Sequence, residues 1–425
     1  MKPPATAEIN LGEKWMSVAA EAPRKFGWYH GWTIVAIATL AQVASNGMPV
    51  NAFTLFVVDW SSNLNTPVST LQLAIALLGL GSAILAPFAG GLADKVPART
   101  LLVTGLGLVA LFHVAIGAIF ATWQFLALYG VVLPLGMALS TSVITNTLVS
   151  RWFVRRRGLA LAVTSFGLSG AGVVLPPIIA ALLPLLQWRM LWMGAGTLIG
   201  LVMLPLAFWL VRDRPTEEDG LHYVSAPGDQ PVSGAAAHVE VHWREVFRRR
   251  TFWIVVATYL PLLGLWGGVN QNLGPIASSR GLDQSAVGLL LSLFSGAQLG
   301  STLLMGLLSD RFGNRRPLAM LAVIAATGGI ITALGQGMIG LASGIVLVGM
   351  GGGLWPLIAS AIANEFGAAA SGRAFGLTMA FLPIMAFAPF AIAKTHEMSG
   401  SYVPGLIGIA IVTLVGGGIC LLMKE

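Results

Sequence analysis

The sequence predicts an all-α integral membrane protein of twelve transmembrane helices in two six-helix halves, on three observations. Apolar residues make up 56% of the 425 and charged residues 10%, against about 45–50% and about 25% in a soluble domain. So few charges cannot cover a soluble protein of this length, whereas lipid can cover a membrane one. Apolar runs of about 20 residues, the length a spanning helix needs, recur twelve times along the chain. A charged turn also repeats: Gly306-Leu307-Leu308-Ser309-Asp310-Arg311-Phe312-Gly313-Asn314-Arg315-Arg316 has a degraded copy in Gly90-Gly91-Leu92-Ala93-Asp94-Lys95-Val96-Pro97-Ala98-Arg99, placing Asp94 and Asp310 216 positions apart. Arg157-Gly158-Leu159-Ala160 and Arg373-Ala374-Phe375-Gly376 keep the same 216-residue offset. Two unrelated features at one offset identify a duplication.

In chain order, residues 1–31 are polar and of mixed charge, without the short apolar core and cleavage site of a signal peptide. The first span is therefore expected to serve as the insertion signal. Cutting at charges and turn residues places spans at 32–57, 69–92, 100–121, 123–149, 158–184 and 189–211, a first half over 32–211. Residues 212–251, holding Pro, Gly, Ser, Asp and Glu with a basic end, read as a solvated linker. The second half, 252–423, carries spans at 252–276, 284–308, 317–336, 338–363, 373–394 and 402–423.

An even count puts both termini on one side. With that side taken as cytoplasmic, 21 of the 24 Lys and Arg fall inside, and only Arg189, Arg280 and Lys394 fall outside. The positive-inside bias sets this orientation. It also accounts for the net charge of +7 with no nucleic-acid partner. The single cysteine, Cys420, excludes a disulfide framework and a thiolate metal cluster. No span carries paired carboxylates, a His-Glu zinc spacing or a nucleophile beside a base, and His242 and Glu245 in the linker lack a second histidine at ligand spacing. Neither enzyme chemistry nor a cofactor is expected. Gly349-Met350-Gly351-Gly352-Gly353 lacks the lysine–serine ending of a phosphate loop and reads as a close-packing seam.

The polar residues inside the spans are almost all neutral. Those singled out are Gln42, Asn46 and Asn51 in the first, Thr141, Thr145 and Asn146 in the fourth, Trp266, Asn270, Gln271 and Asn272 in the seventh, and Gln298 in the eighth. Gly267, Gly268 and Pro275 beside the seventh-span cluster predict local unwinding there. Trp355 and Phe381 complete the candidate set. His113 in the third span is the one clear ionisable side chain at depth.

Twelve spans in two halves, with a Gly-x-Leu-Ala-Asp-Arg-x-Gly-Arg-Arg-like loop after the second span of each, resemble the major facilitator superfamily over essentially the whole chain beyond residue 25. The second loop is nearly ideal, whereas Pro97 and Ala98 replace the family's Gly and Arg in the first. Gly27-Trp28-Tyr29-His30-Gly31-Trp32, and Arg151-Trp152-Phe153-Val154-Arg155-Arg156-Arg157-Gly158-Leu159-Ala160 before a fifth span with Gly167, Gly170 and Gly172, resemble the monocarboxylate and oxalate–formate branch. No acidic residue directly precedes the Gly-Trp opening, and the eighth span offers Gln298 where many monocarboxylate carriers have an arginine.

The resemblance implies two bundles related by a pseudo-twofold axis, working by alternating access, with the first, fourth, seventh and tenth helices lining the cavity. On that basis Gln42, Asn46, Asn51, Thr145, Asn146, Trp266, Asn270, Gln271, Gln298, Trp355 and Phe381 are candidate solute contacts. Asp94 is expected to meet the start of the eleventh helix near Arg373, and Asp310 the start of the fifth near Arg157. With Arg99, Arg311 and Arg315 they form a gate that closes when the inner side is shut. His113, on a helix outside the family's cavity, is expected to be a packing residue. Asp59, Arg280, Lys394 and Glu397 are expected to be interface charges near the outer helix ends. The implied activity is proton-coupled uptake of a monocarboxylate or similar organic acid across a bacterial inner membrane, so the implied partners are a small organic solute, a proton and the lipid bilayer. Export of an amphipathic compound, a non-transporting nutrient sensor and a channel are the alternatives. A fourth-helix arginine of proton-coupled drug exporters is absent, the linker is short, and the duplicated gate carboxylates suit a carrier.

Overall fold

A bilayer core offers an unpaired backbone amide nothing to bond to, so a spanning stretch must close its hydrogen bonds internally. The computed structural model, which describes residues 29–93, 95–153, 156–215, 243–366 and 368–422, builds every span from helix. Twelve helices among the described residues are long and apolar enough to cross a membrane. In the first half, α1 runs His30–Asn51 and continues past a bend as Phe53–Asn63. It is followed by α2 (Val68–Ala93), α3 (Ala98–Ala118), α4 (Thr122–Trp152), α5 (Arg157–Leu182) and α6 (Trp188–Leu210). In the second half, α7 is Arg250–Ser278, α8 Gln284–Phe312, α9 Arg315–Leu334 and α10 Gly337–Phe366. Then α11 runs in three pieces, Ala368–Met379, Leu382–Met385 and Ala388–Ser399, before α12 (Val403–Cys420). The face at which α1 begins and α12 ends is called the near face here, and the opposite one the far face.

Within the halves, α3 packs on α6 and α9 on α12; between them, α5 lies along α8 and α2 along α11. Each of these pairings maps onto the other when the halves are exchanged, which is the pseudo-twofold relation of the duplication. Burial separates inner helices from lipid-facing ones: 78% of the most apolar stretch of α7 is buried, against 22% for α6 and α11.

The helices are interrupted elsewhere than expected. Despite Gly267, Gly268 and Pro275, α7 is unbroken. The reason is packing: Gly268 admits Ile392 of α11, and the Gly268 carbonyl accepts from Asn272 Nδ2 at 2.9 Å. The breaks fall in α1, as a π-turn over Gly47–Asn51 around Pro49, and in α4, where Thr141 is extended. Two more lie in α10, as a 3-10 turn at Gly351–Gly353, and in α11 around Phe381. A six-residue helix, Trp243–Arg248, falls inside the stretch read as linker.

An aromatic cluster of Phe53, Phe56, Trp60, Phe125, Tyr129, Trp188 and Trp192 fills the far part of the first half. His113 is buried in it, 5.2 Å from the Trp192 ring, with Nδ1 2.8 Å from the Val109 carbonyl. It is packed as expected of a residue outside a cavity. The three outlying cations are each held by fixed groups at the far face. Arg189 donates to the Gly117 and Ile119 carbonyls at 3.0 and 2.7 Å, closing the end of α3, and lies 4.4 Å over the Trp188 ring. Arg280 donates to Gly335, Thr332 and Ala333 at the end of α9. Lys394 pairs with Glu397 at 3.2 Å. Cations at helix C-termini meet both unpaired carbonyls and the negative dipole end.

Candidate functional site

In the second half the candidate residues converge from α7, α8 and α10. Trp266 and Asn270 stand four residues apart and so share one face of α7. Trp266 leans on Phe294 of α8, ring centroids 5.4 Å apart, and its buried Nε1 has no acceptor among the described residues. Asn270 is buried, and the half-buried Gln298 lies beside the indole; neither carboxamide has a hydrogen-bond partner among the described residues. The third wall is the glycine turn of α10. A Cβ on Gly352 would overlap Gln298 Cγ, come 2.8 Å from its Cδ and 3.0 Å from Trp266 Nε1. Gly349 and Gly353 bring the same stretch against the α8 backbone at Phe294 and Ser301. The glycine run is thus a packing seam whose middle residue shapes the site. Trp355, half-buried, follows one turn later on α10.

In the first half, Gln42 Nε2 donates to Ser142 Oγ at 3.2 Å and Thr145 Oγ1 at 3.5 Å, and Asn46 Nδ2 donates to the Gln42 carbonyl at 3.1 Å. The break at Thr141 turns this part of α4 toward α1. Gln42 Oε1 and Asn146 Oδ1 remain buried without donors. Such orphaned atoms are uncommon, since burying an unpaired polar atom costs about 1–3 kcal/mol.

Three candidates lie apart from these groups. Asn51 ties α1 to α5 by donating to the Leu168 carbonyl at 3.0 Å. Gln271 points away from Asn270 and donates to the Val50 carbonyl of the other half at 3.2 Å. Phe381 packs with Phe252 and Trp253 at the near end of α7. Phe252 is 18 residues from Asn270 on one helix, a rise of about 27 Å, so Phe381 does not join the amide layer.

At the near face, Asp94 lies outside the described residues, as does the Arg373 side chain. Arg157 is exposed and donates to Ser150 Oγ at 3.1 Å; Asp310 and Arg311 are exposed, and Asp310 makes no ion pair among the described residues. Arg99 serves its own half, its N–H donating to Asp213 and its guanidinium lying 4.4 Å over Phe208. Arg315 offers its carbonyl to Cys420 Sγ at 3.6 Å. The loop residue that sequence reasoning missed is Asn314. It is buried, accepts from Ser309 Oγ at 2.5 Å and donates to Ser360 Oγ at 3.1 Å, pinning the charged turn to α10.

Among the described residues, the hydrogen bonds between the halves lie on the far side. Thr54 Oγ1 accepts from the Gly274 N–H at 2.7 Å, Gln284 donates to the Leu55 carbonyl at 3.4 Å, and Glu397 accepts from the Ser69 N–H at the start of α2 at 3.0 Å. The two aromatic motifs also meet, at the near face. Tyr29 and Trp32 pack on Phe153, His30 packs on Trp152, and the Tyr29 hydroxyl donates to the Trp152 carbonyl. Trp152 Nε1 in turn donates to the Arg212 carbonyl at 2.9 Å, so the cluster clasps α1, α4 and the end of α6 into one unit.

Two duplicated helical bundles, hydrogen-bonded to each other across the far face and each holding buried polar atoms without partners among the described residues, have the architecture of a membrane transporter. The family model described as Major Facilitator Superfamily matches residues 35–388, and again 258–424, and the chain belongs to that family. It is 26% identical over 422 residues to monocarboxylate transporter 11 of Homo sapiens, covering 96% of this chain and 77% of that one. It is 25% identical over 360 residues to the oxalate:formate antiporter of Oxalobacter formigenes, covering 81% and 80%. A solved bacterial homologue of the human lysosomal transporter Spinster, inward-facing and unoccupied, matches with TM-score 0.74 at 14% identity, over 93% of this chain and 97% of that one. That likeness concerns the fold. Membership places the chain among transporters rather than enzymes.

Proposed function

We propose that this protein takes up a small monocarboxylic acid together with a proton, rocking its two halves about the mid-depth site. The observation that carries this reading is the chemistry of that layer. Trp266 Nε1 is an unused donor, Gln42 Oε1 and Asn146 Oδ1 are unused acceptors, and the Asn270 and Gln298 carboxamides, able to do either, have no partner among the described residues. No Asp, Glu, Lys or Arg side chain joins them there among the described residues. A carboxylate anion would be stripped of water with no cation to receive it, a cost of several kcal/mol. A protonated acid fits instead: its O–H donates to a carboxamide oxygen and its C=O accepts from the indole N–H. The proton then travels with the solute and needs no buried carboxylate of the protein. The relatives named for monocarboxylates and for oxalate and formate support the substrate class.

On this reading the near face, rich in Lys and Arg, is cytoplasmic and the membrane is a bacterial inner membrane. The gate then comprises Asp94, Arg99, Arg157, Asp310, Arg311, Arg315 and Arg373 at that face. The test is uptake of radiolabelled monocarboxylates, aromatic ones included, into proteoliposomes under an inward proton gradient. Saturable uptake that a protonophore abolishes and Asn270→Ala loses is the expected result. No uptake of any acid by folded protein removes the monocarboxylate assignment.

A further inference from the structure

We propose that Gln72 and Ser292 are far-face gate residues, which close the transporter by donating to two backbone carbonyls that prolines have freed in the opposite half. The proposal rests on the alternating-access reading above. In an α-helix each carbonyl accepts from the N–H four residues on. Proline has no N–H, and its ring pushes that carbonyl outward. Pro275 therefore leaves the Gln271 carbonyl of α7 without a helical donor, and Pro177 does the same to Val173 of α5. In both cases the missing donor comes from the other half: Gln72 Nε2 of α2 lies 2.7 Å from the Gln271 carbonyl, and Ser292 Oγ of α8 lies 2.6 Å from that of Val173.

Three features separate this from ordinary helix packing. The donors stand on α2 and α8, the helices that the duplication exchanges, so one device closes both long seams. Gln72 is fully buried in the far half and donates also to Asn272 Oδ1 at 3.3 Å, while Asn272 Nδ2 reaches the Pro389 carbonyl at 3.0 Å; α2, α7 and α11 are thereby joined at one point. Pro261 supplies the contrast. The carbonyl it frees, Ala257, faces Gly416 of α12 within the same half, where no closing is required.

The state dependence follows from solvation. While the far seam is sealed no water reaches these carbonyls, and an unpaired one in an apolar surround is costly. When the halves part, water replaces the serine and the glutamine. The bonds thus favour closure without making opening prohibitive, and the prolines prevent a helical N–H from competing for the same carbonyl.

The test reads opening of the far seam without needing a solute. Ala76, one turn from Gln72 on the same face of α2, is 1% exposed. In a Cys420→Ala background, Ala76→Cys is labelled with a water-soluble maleimide in micelles, where both faces meet the reagent and the rate follows the open population. Gln72→Ala, Ser292→Ala and Pro275→Ala are each expected to speed labelling roughly threefold or more, the factor of one interhelical hydrogen bond in a membrane. Pro275→Ala is the sharpest arm, because it removes no donor and restores a helical one, so misfolding does not explain its effect. Gly274→Val is the positive control: a side chain there overlaps the Thr54 carbonyl and wedges α1 from α7. If only the wedge speeds labelling, the proline-carbonyl gate is overturned and alternating access stands. If none of the four does, the seam does not open and both fall.

Discussion

Replacing Gly352 by alanine should weaken solute binding through a residue it does not replace. The new Cβ overlaps Gln298 Cγ and sits 2.8 Å from Cδ, so Gln298 must leave its rotamer, while Trp266 Nε1 at 3.0 Å must yield by a few tenths of an ångström. Gln298 is only half-buried, so the move costs about 0.5–1.5 kcal/mol, that of an off-rotamer or re-chosen side chain, and the protein is expected to stay folded. What is lost is one hydrogen bond to the solute, about 1 ± 0.5 kcal/mol, or roughly a 2- to 10-fold rise in KM for the acid taken up best. The assay is a double-variant cycle on initial uptake rates with Gly352→Ala, Gln298→Ala and both together. Because the glycine acts through the glutamine, the double variant should be no worse than Gln298→Ala alone, a coupling of 0.5 kcal/mol or more. Additive effects, or an alanine at 352 with unchanged KM, would refute the reasoning and remove Gln298 from the site.

Other outcomes follow from the same geometry. Arg280→Ala leaves the Gly335, Thr332 and Ala333 carbonyls without their cap and should lower stability by about 1–3 kcal/mol in thermal unfolding, with Arg280→Lys recovering little because an ammonium cannot span the fork. His113→Leu should cost less than about 1.5 kcal/mol and leave the pH profile of uptake unchanged; a lost proton dependence would contradict the packing role. Asp310→Asn, at an exposed residue with no ion pair among the described residues, should shift the melting temperature by the effect of less than about 0.5 kcal/mol. On the proposed gate it should still slow turnover several-fold, because the near-closed state would lose a carboxylate at the α5 N-terminus worth about 0.3–2 kcal/mol.

The helical architecture was legible because the bilayer demands long apolar runs and the duplication repeats its charged turn at a fixed offset. The site was legible as a list of side chains and less so as an arrangement. Asn270 and Gln271 are neighbours in sequence, yet about 100° of helical rotation separates them, and Gln271 is spent on the far seam. Phe381 was chosen by its type and falls at another depth. Gly352 was read only as part of a packing seam, because its place in the site is the room it leaves for Gln298, a property of two helices and not of one. Gln72, a lone carboxamide in an apolar span, was passed over, and Pro275 was read as a point of unwinding and not for the carbonyl it frees. What joins them is a crossing between halves that no local pattern encodes. The Gly-Trp opening and the Arg-Trp-Phe run were likewise read separately, and only the fold shows them as two sides of one clasp.

The far seam is where the two halves are bonded to each other in this structure, whereas Asp310 at the near face makes no ion pair among the described residues. Among the described residues, seven hydrogen bonds cross between the halves on the far side. At about 0.6 kcal/mol each, the mean for interhelical bonds in a membrane, they contribute about 4 kcal/mol to the closed seam. Two carboxylates at helix N-termini, the pairing proposed for Asp94 and Asp310, would contribute about 0.3–1 kcal/mol apiece when exposed and up to about 2 kcal/mol when partly buried. A carrier needs the two sets to be comparable, because a solute shifts the balance only by its differential affinity for the two states. Weakening either side by a single bond should therefore redistribute the two states without unfolding the protein, and removing Gln72 and Asp310 together should restore much of the balance that either change alone upsets.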